Sequence, residues 1–178
     1  IGIGLAAASG FRVFLPMFAV SLASYMGWIP MNDHFMWLAG LPTLITTGIA
    51  TIVEVLAYYI PYVDHLLDTI SVPLATVAGS VLFASQFADL GTFPTWALAL
   101  IAGGGTAAAI SSGFAGTRAA STATTGGLGN SVVATTETAG AGMMTFLALA
   151  APIIAVIIAI ALVVVVFIFG RELWGKLK

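Results

Sequence analysis

Residues 103–144 decide the fold, and they read GGGTAAAISSGFAGTRAASTATTGGLGNSVVATTETAGAGMM. In this stretch 32 of 42 residues are Gly, Ala, Ser or Thr, although it lies between two strongly apolar stretches. Small residues let helix backbones approach closely in a lipid bilayer, where packing and interhelical hydrogen bonds drive association. The stretch therefore predicts closely packed helices inside a membrane rather than a linker.

The whole chain has the composition of an integral membrane protein. Its mean hydropathy is +1.11, and 60% of its 178 residues are apolar whereas only 7% are charged. No basic stripe for nucleic acid is present, and the absence of cysteine excludes disulfides and thiolate metal sites. His34 and His65 have no partners at zinc-ligand spacing. We therefore expect the lipid bilayer as the main partner, with no nucleic acid, no metal and no cofactor.

We predict an all-α, polytopic transmembrane helical bundle with five spans, because about 20 apolar residues cross a hydrocarbon core. The spans are residues 2–28, 42–60, 73–90, 93–125 and 143–169. Tyrosines and tryptophans near the span ends, Tyr58 among them, are expected as interfacial anchors. Arg171, Lys176 and Lys178 follow the last span, and basic residues near span ends favour the cytoplasmic side. The carboxyl terminus is therefore expected in the cytoplasm and the amino terminus outside.

Glycine and proline positions predict helices that break inside the membrane. In the first half, Asn32 or Asp33 caps a half-helix over 34–39 that ends at 40–42. In the second half, a turn at 125–129 precedes a half-helix over 132–139, capped by Asn130 or Ser131 and broken at 140–142. Without that break, a helix over 132–169 would measure about 57 Å against a core of about 30 Å.

The shared plan of the two halves predicts an internal duplication. Residues 6–12 also resemble residues 107–114, with an arginine at or soon after each match. The single transmembrane domain 1–178 then divides into repeat one over 2–71, a linking span over 72–92, repeat two over 93–170 and a cytoplasmic tail over 171–178. Two-span repeats separated by one span have opposite orientations, which is the inverted-repeat arrangement common among transporters.

Four ionisable side chains at membrane depth are the main candidate site residues: Arg12, Glu54, Arg118 and Glu137. Each costs several kcal/mol to insert, about +2.5 to +3.5 for an arginine at a helix centre. We expect them near the bilayer midplane, with Arg12 paired to Glu54 and Arg118 paired to Glu137. They would either fix helix register as buried ion pairs or line a polar pathway in which one carboxylate exchanges a proton or a cation. Glu54 is the expected titrating group.

Five further residues are secondary candidates: Asp64, Asp68, Thr135, Thr136 and Asn130. Asp64 and Asp68 are four residues apart and share a helix face. Their carboxylates suit hard cations, but their expected place at the membrane interface favours a solvated polar face. Thr135 and Thr136 would supply neutral oxygens, and the turn before Asn130 would suit an anion at the start of the next half-helix.

Three segments resemble a known family: residues 10–12, the segment from Glu54 to Asp68, and the segment from Thr117 through Asn130 to Glu137. Together they are similar to the domain-of-unknown-function 4126 family of small bacterial membrane proteins, over nearly the whole chain. The resemblance implies a compact multi-pass protein of the bacterial inner membrane and supplies no activity, substrate or catalytic residue. The family has an acidic pair where this chain has Glu137 and Thr138, so a mechanism that needs two carboxylates there is in doubt.

Two function classes fit these features. The first is a small inverted-repeat transporter or channel for protons, a small cation or a small polar solute. The second is a non-catalytic accessory or assembly subunit of a larger membrane complex, or a homo-oligomer, whose Gly/Ala/Thr face contacts its partner. An enzyme is not expected and no catalytic residues are assigned, because the chain has no Ser-His-Asp set, metal triad or cofactor motif.

Overall fold

The computed structural model describes residues 1–60, 63–87 and 91–176, without the side chains of His65 and residues 173–176. These residues form an all-α bundle with no strand, which confirms the predicted fold class. Eight α-helices are present: α1 Gly2–Phe11, α2 Phe14–Tyr25, α3 Leu41–Ala57, α4 Val63–Ser85, α5 Thr92–Leu98, α6 Gly105–Thr125, α7 Asn130–Ala150 and α8 Pro152–Lys176. A 3₁₀ helix over Asp33–Ala39 precedes α3, and a π-helical segment over Ala99–Gly104 joins α5 to α6.

Four helical segments are long and apolar enough to cross a membrane: Leu66–Ser85, Thr92–Thr125, Asn130–Ala150 and Pro152–Glu172. The 3₁₀ helix and α3 make a fifth as a pair bent by 59°. The protein is therefore a multi-pass membrane protein, and the described residues supply up to five spans. This upper number equals the five spans predicted from the sequence, but the segments that form them differ from the predicted ones. Lys178 and the predicted end of the third span at Leu90 lie outside the described residues.

Residues 2–28 are predicted to be one span with an interruption among Ser9, Gly10, Arg12 and Pro16; the interruption is confirmed at Arg12, but the single crossing is wrong. They form α1 and α2, of 10 and 12 residues, or about 15 and 18 Å, separated by an extended Arg12 with φ −143° and ψ 133°. Both ends of this pair line one cavity of about 550 Å³ beside the end of α4. Its lining includes Ile1, Pro30, Met31 and Gln86. The segment is therefore a re-entrant hairpin that enters the bundle and returns to the same end.

Helix α1 is the centre of the bundle, in contact with α4, α6, α7 and α8. It can lie there because its sequence is almost entirely small residues, and everything from Gly4 to Gly10 is buried. A Cβ atom added at Gly4 would lie 2.8 Å from the Cβ atoms of both Ala148 and Ala155. Close backbone approach at small residues thus assembles the core, as the composition predicted.

The predicted break in the second half is also wrong. The turn at 125–129 is present, with Gly126 and Gly127 at φ 64° and 90°, but α7 then continues without interruption to Ala150. The chain bends instead at Ala151, because Pro152 has no N–H group and disfavours helical geometry in the residue before it. Residues 143–169 therefore belong to two helices, and residues 132–139 are not a half-helix.

In the first half of the chain, the predicted half-helix over 34–39 and the break after it are present. The Asn32 side chain accepts a hydrogen bond from the backbone N–H of His34 and caps the 3₁₀ helix, which ends at Gly40. Helix α4 begins at Val63 rather than at Pro73, and the proline is accommodated inside it. Because only one half shows the broken plan, the inverted duplication remains a prediction from sequence.

The helices define two ends of the bundle. The Ile1 end comprises residue 1, the 3₁₀ helix and the end of α4, which together line the cavity described above. The Asn130 end comprises the end of α3, the start of α4 and the turn between α6 and α7. Helix α8 finishes at the Asn130 end, since its late residue Val166 packs on Gly113 of α6. The described part of the chain therefore begins at the Ile1 end and finishes at the Asn130 end.

Candidate functional site

Arg118 and Glu137 form a buried ion pair between α6 and α7, as predicted from the sequence. The Arg118 Nε donates to Glu137 Oε1 at 3.1 Å, and Arg118 Nη2 contacts Glu137 Oε2. The Glu137 residue is only 1% exposed. Two antiparallel helices joined by a short turn bring these positions together, because each lies about seven residues from the turn.

Arg12 joins this pair from the tip of the re-entrant hairpin. Its Nη2 lies 3.5 Å from Glu137 Oε2 and donates to the Ala134 carbonyl oxygen at 2.9 Å, while its Nε donates to Thr138 Oγ1 at 3.1 Å. Arg12 is 1% exposed, and its Nη1 has no hydrogen-bond partner among the described residues. Glu137 therefore receives two guanidinium groups from two elements.

Among the contacts of the described residues, Glu54 does not form the predicted ion pair with Arg12. Its carboxylate accepts the backbone N–H groups of Val13 and Phe14, at 2.8 Å and 3.0 Å. These N–H groups belong to the start of α2, where a helix has unsatisfied donors and a positive dipole end. Glu54 therefore holds α3 against the hairpin tip and occupies the position that an anion takes at a helix N-terminus.

Tyr58 is a site residue that the sequence reasoning missed. Its ring centroid lies 4.0 Å from the Arg12 guanidinium carbon and 3.9 Å from that of Arg118, both within cation–π range. The sequence predicts Tyr58 only as an interfacial anchor. Its spacing of four residues from Glu54 places both side chains on one face of the α3 helix end, and this was the available signal.

Asp68 extends the cluster towards the Asn130 end. Its Oδ1 accepts from Arg118 Nη1 at 2.7 Å. One turn earlier, Asp64 is 5% exposed and its Oδ2 accepts from Asn130 Nδ2 at 3.0 Å. The expectation of a solvated polar face is therefore wrong for this pair, because α6 and α7 supply polar partners at that depth. Asn130 does not cap its helix; its amide also donates to Thr122.

Thr135 and Thr136 lie outside the cluster. Both are exposed, and each hydroxyl donates to the backbone carbonyl four residues earlier. Thr135 also bonds the Tyr59 hydroxyl at 2.8 Å. The neutral oxygen beside Glu137 comes instead from Thr138, which occupies the position where the family is expected to have a second acid.

We call Arg12, Glu54, Tyr58, Asp68, Arg118 and Glu137 the charge cluster. Its two guanidinium groups face three carboxylates, so the fully ionised cluster has one excess negative charge. It lies about 10 Å in from the Asn130 end, since Glu137 is seven residues into α7. Towards the Ile1 end, apolar packing begins at Phe11 and Phe114, whose ring centroids are 4.9 Å apart.

A cavity of about 160 Å³ reaches the cluster between α3 and α4. It is lined by Val13, Phe14, Ala50, Val53, Glu54, Ala57, Tyr58, Leu67, Ile70, Ser71 and Leu74. At about 30 Å³ per water, it has room for a few water molecules or one small ion. No group of three or more His, Asp or Glu side chains that could hold a metal occurs within the described parts of the chain.

The family described as Domain of unknown function (DUF4126) matches residues 1–172. This match covers nearly the whole chain, so the protein belongs to that family. Neither a curated protein nor a solved structure matches the chain.

Proposed function

We propose that this member of the DUF4126 family is a small transporter or channel of the bacterial inner membrane, and that the species it moves is the proton. A small cation or a small polar solute is the broader class from which the proton is chosen. The proposed role is non-enzymatic, and the proposed orientation places the carboxyl terminus in the cytoplasm.

One observation carries the proposal: a re-entrant hairpin ends in a buried charge cluster in which three carboxylates face two guanidinium groups. Discontinuous helices whose ends meet charged groups are typical of ion and substrate sites in transporters. Buried charge is costly unless it is balanced, and one bound proton would make the charges of the three carboxylates equal to those of the two guanidinium groups. A cluster of this kind is therefore suited to take up and release a proton.

The polar side chains also suggest a route. Asp64, Asn130 and Thr122 are hydrogen-bonded at the Asn130 end, and Asp68 and Arg118 connect that level to Glu137. Beyond the cluster, the described core is apolar around Phe11 and Phe114. This arrangement supports a polar half-pathway that runs from the Asn130 end to the cluster and stops at the apolar core.

Proton flux into proteoliposomes containing only this chain tests the proposal. A pH-sensitive dye inside the vesicles should report flux driven by an imposed potential, and Glu54→Gln should insert normally but lose that flux. Glu172→Gln is the matched control, because Glu172 is exposed near the end of α8. Flux in Glu54→Gln with the wild-type rate and pH profile would leave Glu54 as a structural tether.

The accessory-subunit role is the second candidate, and the outer face of α6 favours it. A Cβ atom added at Gly105 or Gly116 would meet nothing within 4 Å, so this small-residue face has room for another helix. Purification at a fixed stoichiometry with larger membrane proteins, together with no flux from the isolated chain, would select this role.

A further inference from the structure

The start of α2 is built as an anion site that one of the protein's own side chains fills. The N–H groups of Val13 and Phe14 both point at the Glu54 carboxylate, at 2.8 Å and 3.0 Å. Helix α2 has 12 residues, long enough to present a positive dipole end to this carboxylate. An external anion on the same two N–H groups would make the same contacts.

A second observation points to a ligand at this place. The Arg12 residue directly precedes Val13 and is 1% exposed, yet its Nη1 has no hydrogen-bond partner among the described residues. Its Nε and Nη2 are used on α7, which leaves Nη1 as the remaining donor, and the opposite charges of Arg12 and Glu54 attract each other. A buried guanidinium donor without a partner is costly, and an anion at the hairpin tip would satisfy it.

The Glu54 side chain also has space to leave. The cavity of about 160 Å³ between α3 and α4 is lined by Glu54 itself together with Tyr58 and Ser71. Helix α3 packs mainly on α2 and the 3₁₀ helix, and the cavity lies between Glu54 and the α4 residues Leu67 and Ile70. A protonated Glu54 would lose its charge interaction with the N–H groups and turn into this cavity.

We infer that the hairpin tip binds a small monovalent anion, of halide size, when Glu54 is protonated and releases the Val13 and Phe14 N–H groups. This inference rests on the proposed function and names a second species for the same site. The proton goes to a Glu54 carboxylate oxygen, and the anion replaces the lost negative charge. The net charge of the cluster is therefore the same before and after the proton and the anion bind together.

The titratable groups around Glu54 come from several elements. Arg12 faces it from the hairpin tip, Tyr58 from its own helix and Arg118 from α6; Asp68 of α4 lies across the Tyr58 ring and acts on it. The α2 residues packed along α3 include no acid or base from Phe14 to Ser24. The ionisable residues of the 3₁₀ helix lie at the Ile1 end.

Thermal unfolding of the full chain in detergent tests the inference, with sodium chloride as the probe and sodium gluconate at equal ionic strength as the reference. In Glu54→Ala the site is empty, and chloride should raise the unfolding midpoint saturably, by about 2–4 °C at several times its dissociation constant. Wild type should show no such rise at neutral pH and should gain it at acidic pH. Asp33→Ala, at the Ile1 end, is the matched control for general salt effects.

The following outcomes would support or overturn the anion site. Chloride stabilisation of Glu54→Ala no greater than that of Asp33→Ala would overturn the anion site. If Glu54→Ala does not fold, the chloride response is measured instead in Glu54→Gln and in wild type at acidic pH. Absence of a chloride effect in both would reject the anion site. Proton flux without a chloride response would support the proposed function and reject the anion site. A chloride response without proton flux would establish the anion site and reject proton transport.

Discussion

Removing both charges of the Arg118–Glu137 pair should destabilise the protein little more than removing one of them. Glu137 is 1% exposed and lies against two guanidinium groups, so Glu137→Gln leaves buried positive charge without its main partner. Breaking a buried pair from one side costs about 3–5 kcal/mol. Arg118→Met should lose a similar amount, because it leaves the Glu137 charge without its closest partner.

If the two residues were independent, the double variant Glu137→Gln/Arg118→Met would lose about 6–10 kcal/mol. Because they are paired, we expect its loss to stay near that of one single variant, which is a coupling energy of at least about 2 kcal/mol. The double variant should still lose stability, because Arg12 loses its contact with Glu137 and Asp68 loses its contact with Arg118. For the same reason a charge swap is a poor test, because it would place an arginine against Arg12.

Unfolding in mixed micelles, followed by tryptophan fluorescence, measures these free energies. The exposed Glu172→Gln should lie within about 0.5 kcal/mol of wild type and serves as the control for loss of an acidic group. Strictly additive losses in the double variant would refute direct coupling and the reasoning behind the charge cluster.

Three further predictions concern the membrane topology, the packing at Gly103 and the Tyr58 ring. Single cysteines at Asp33 and Glu172 should be labelled from opposite sides of the membrane, because α1 and α2 form a re-entrant hairpin. Labelling of both cysteines from the same side would instead show that residues 2–28 cross the membrane. Gly103→Ala should lose about 1–3 kcal/mol of unfolding free energy, because its Cβ would lie 2.5 Å from a neighbouring side-chain carbon, whereas Gly116→Ala should lose nothing. Tyr58→Phe should be tolerated and Tyr58→Leu should lose about 1–2 kcal/mol in the same assay, because the ring and not the hydroxyl contacts the two guanidinium groups.

The contact between Arg118 and Glu137 could be predicted from sequence because it depends on local geometry. A glycine turn joins two helices, and positions equally far from such a turn face each other. Tyr58 could have been found in the same way from its spacing to Glu54. These relations need only the helical repeat and the position of a turn.

The re-entrant hairpin could not be predicted in this way. An apolar stretch of 27 residues over 2–28 has the composition of a span, and composition is the same whether the chain crosses the bilayer or turns back inside it. The sequence indicates an interruption near Arg12, and the break between α1 and α2 falls there. Likewise Gly140 was taken as a helix break, although it is the place where the Phe11 ring packs against α7.

The partners of the charge cluster bear on whether it serves more than stability. A buried ionic network that only fixes helix positions is most stable when every charge and donor is satisfied, since a partly satisfied network is worse than an apolar core. Here the carboxylates exceed the guanidinium groups by one, and Arg12 Nη1 has no partner among the described residues. Both imbalances lie around the hairpin tip, where the one carboxylate bound to backbone N–H groups borders a cavity. A proton at Glu54 would cancel the excess charge, and a small anion beside Arg12 would be a partner for Nη1, which argues for exchange at Glu54 over a purely structural role.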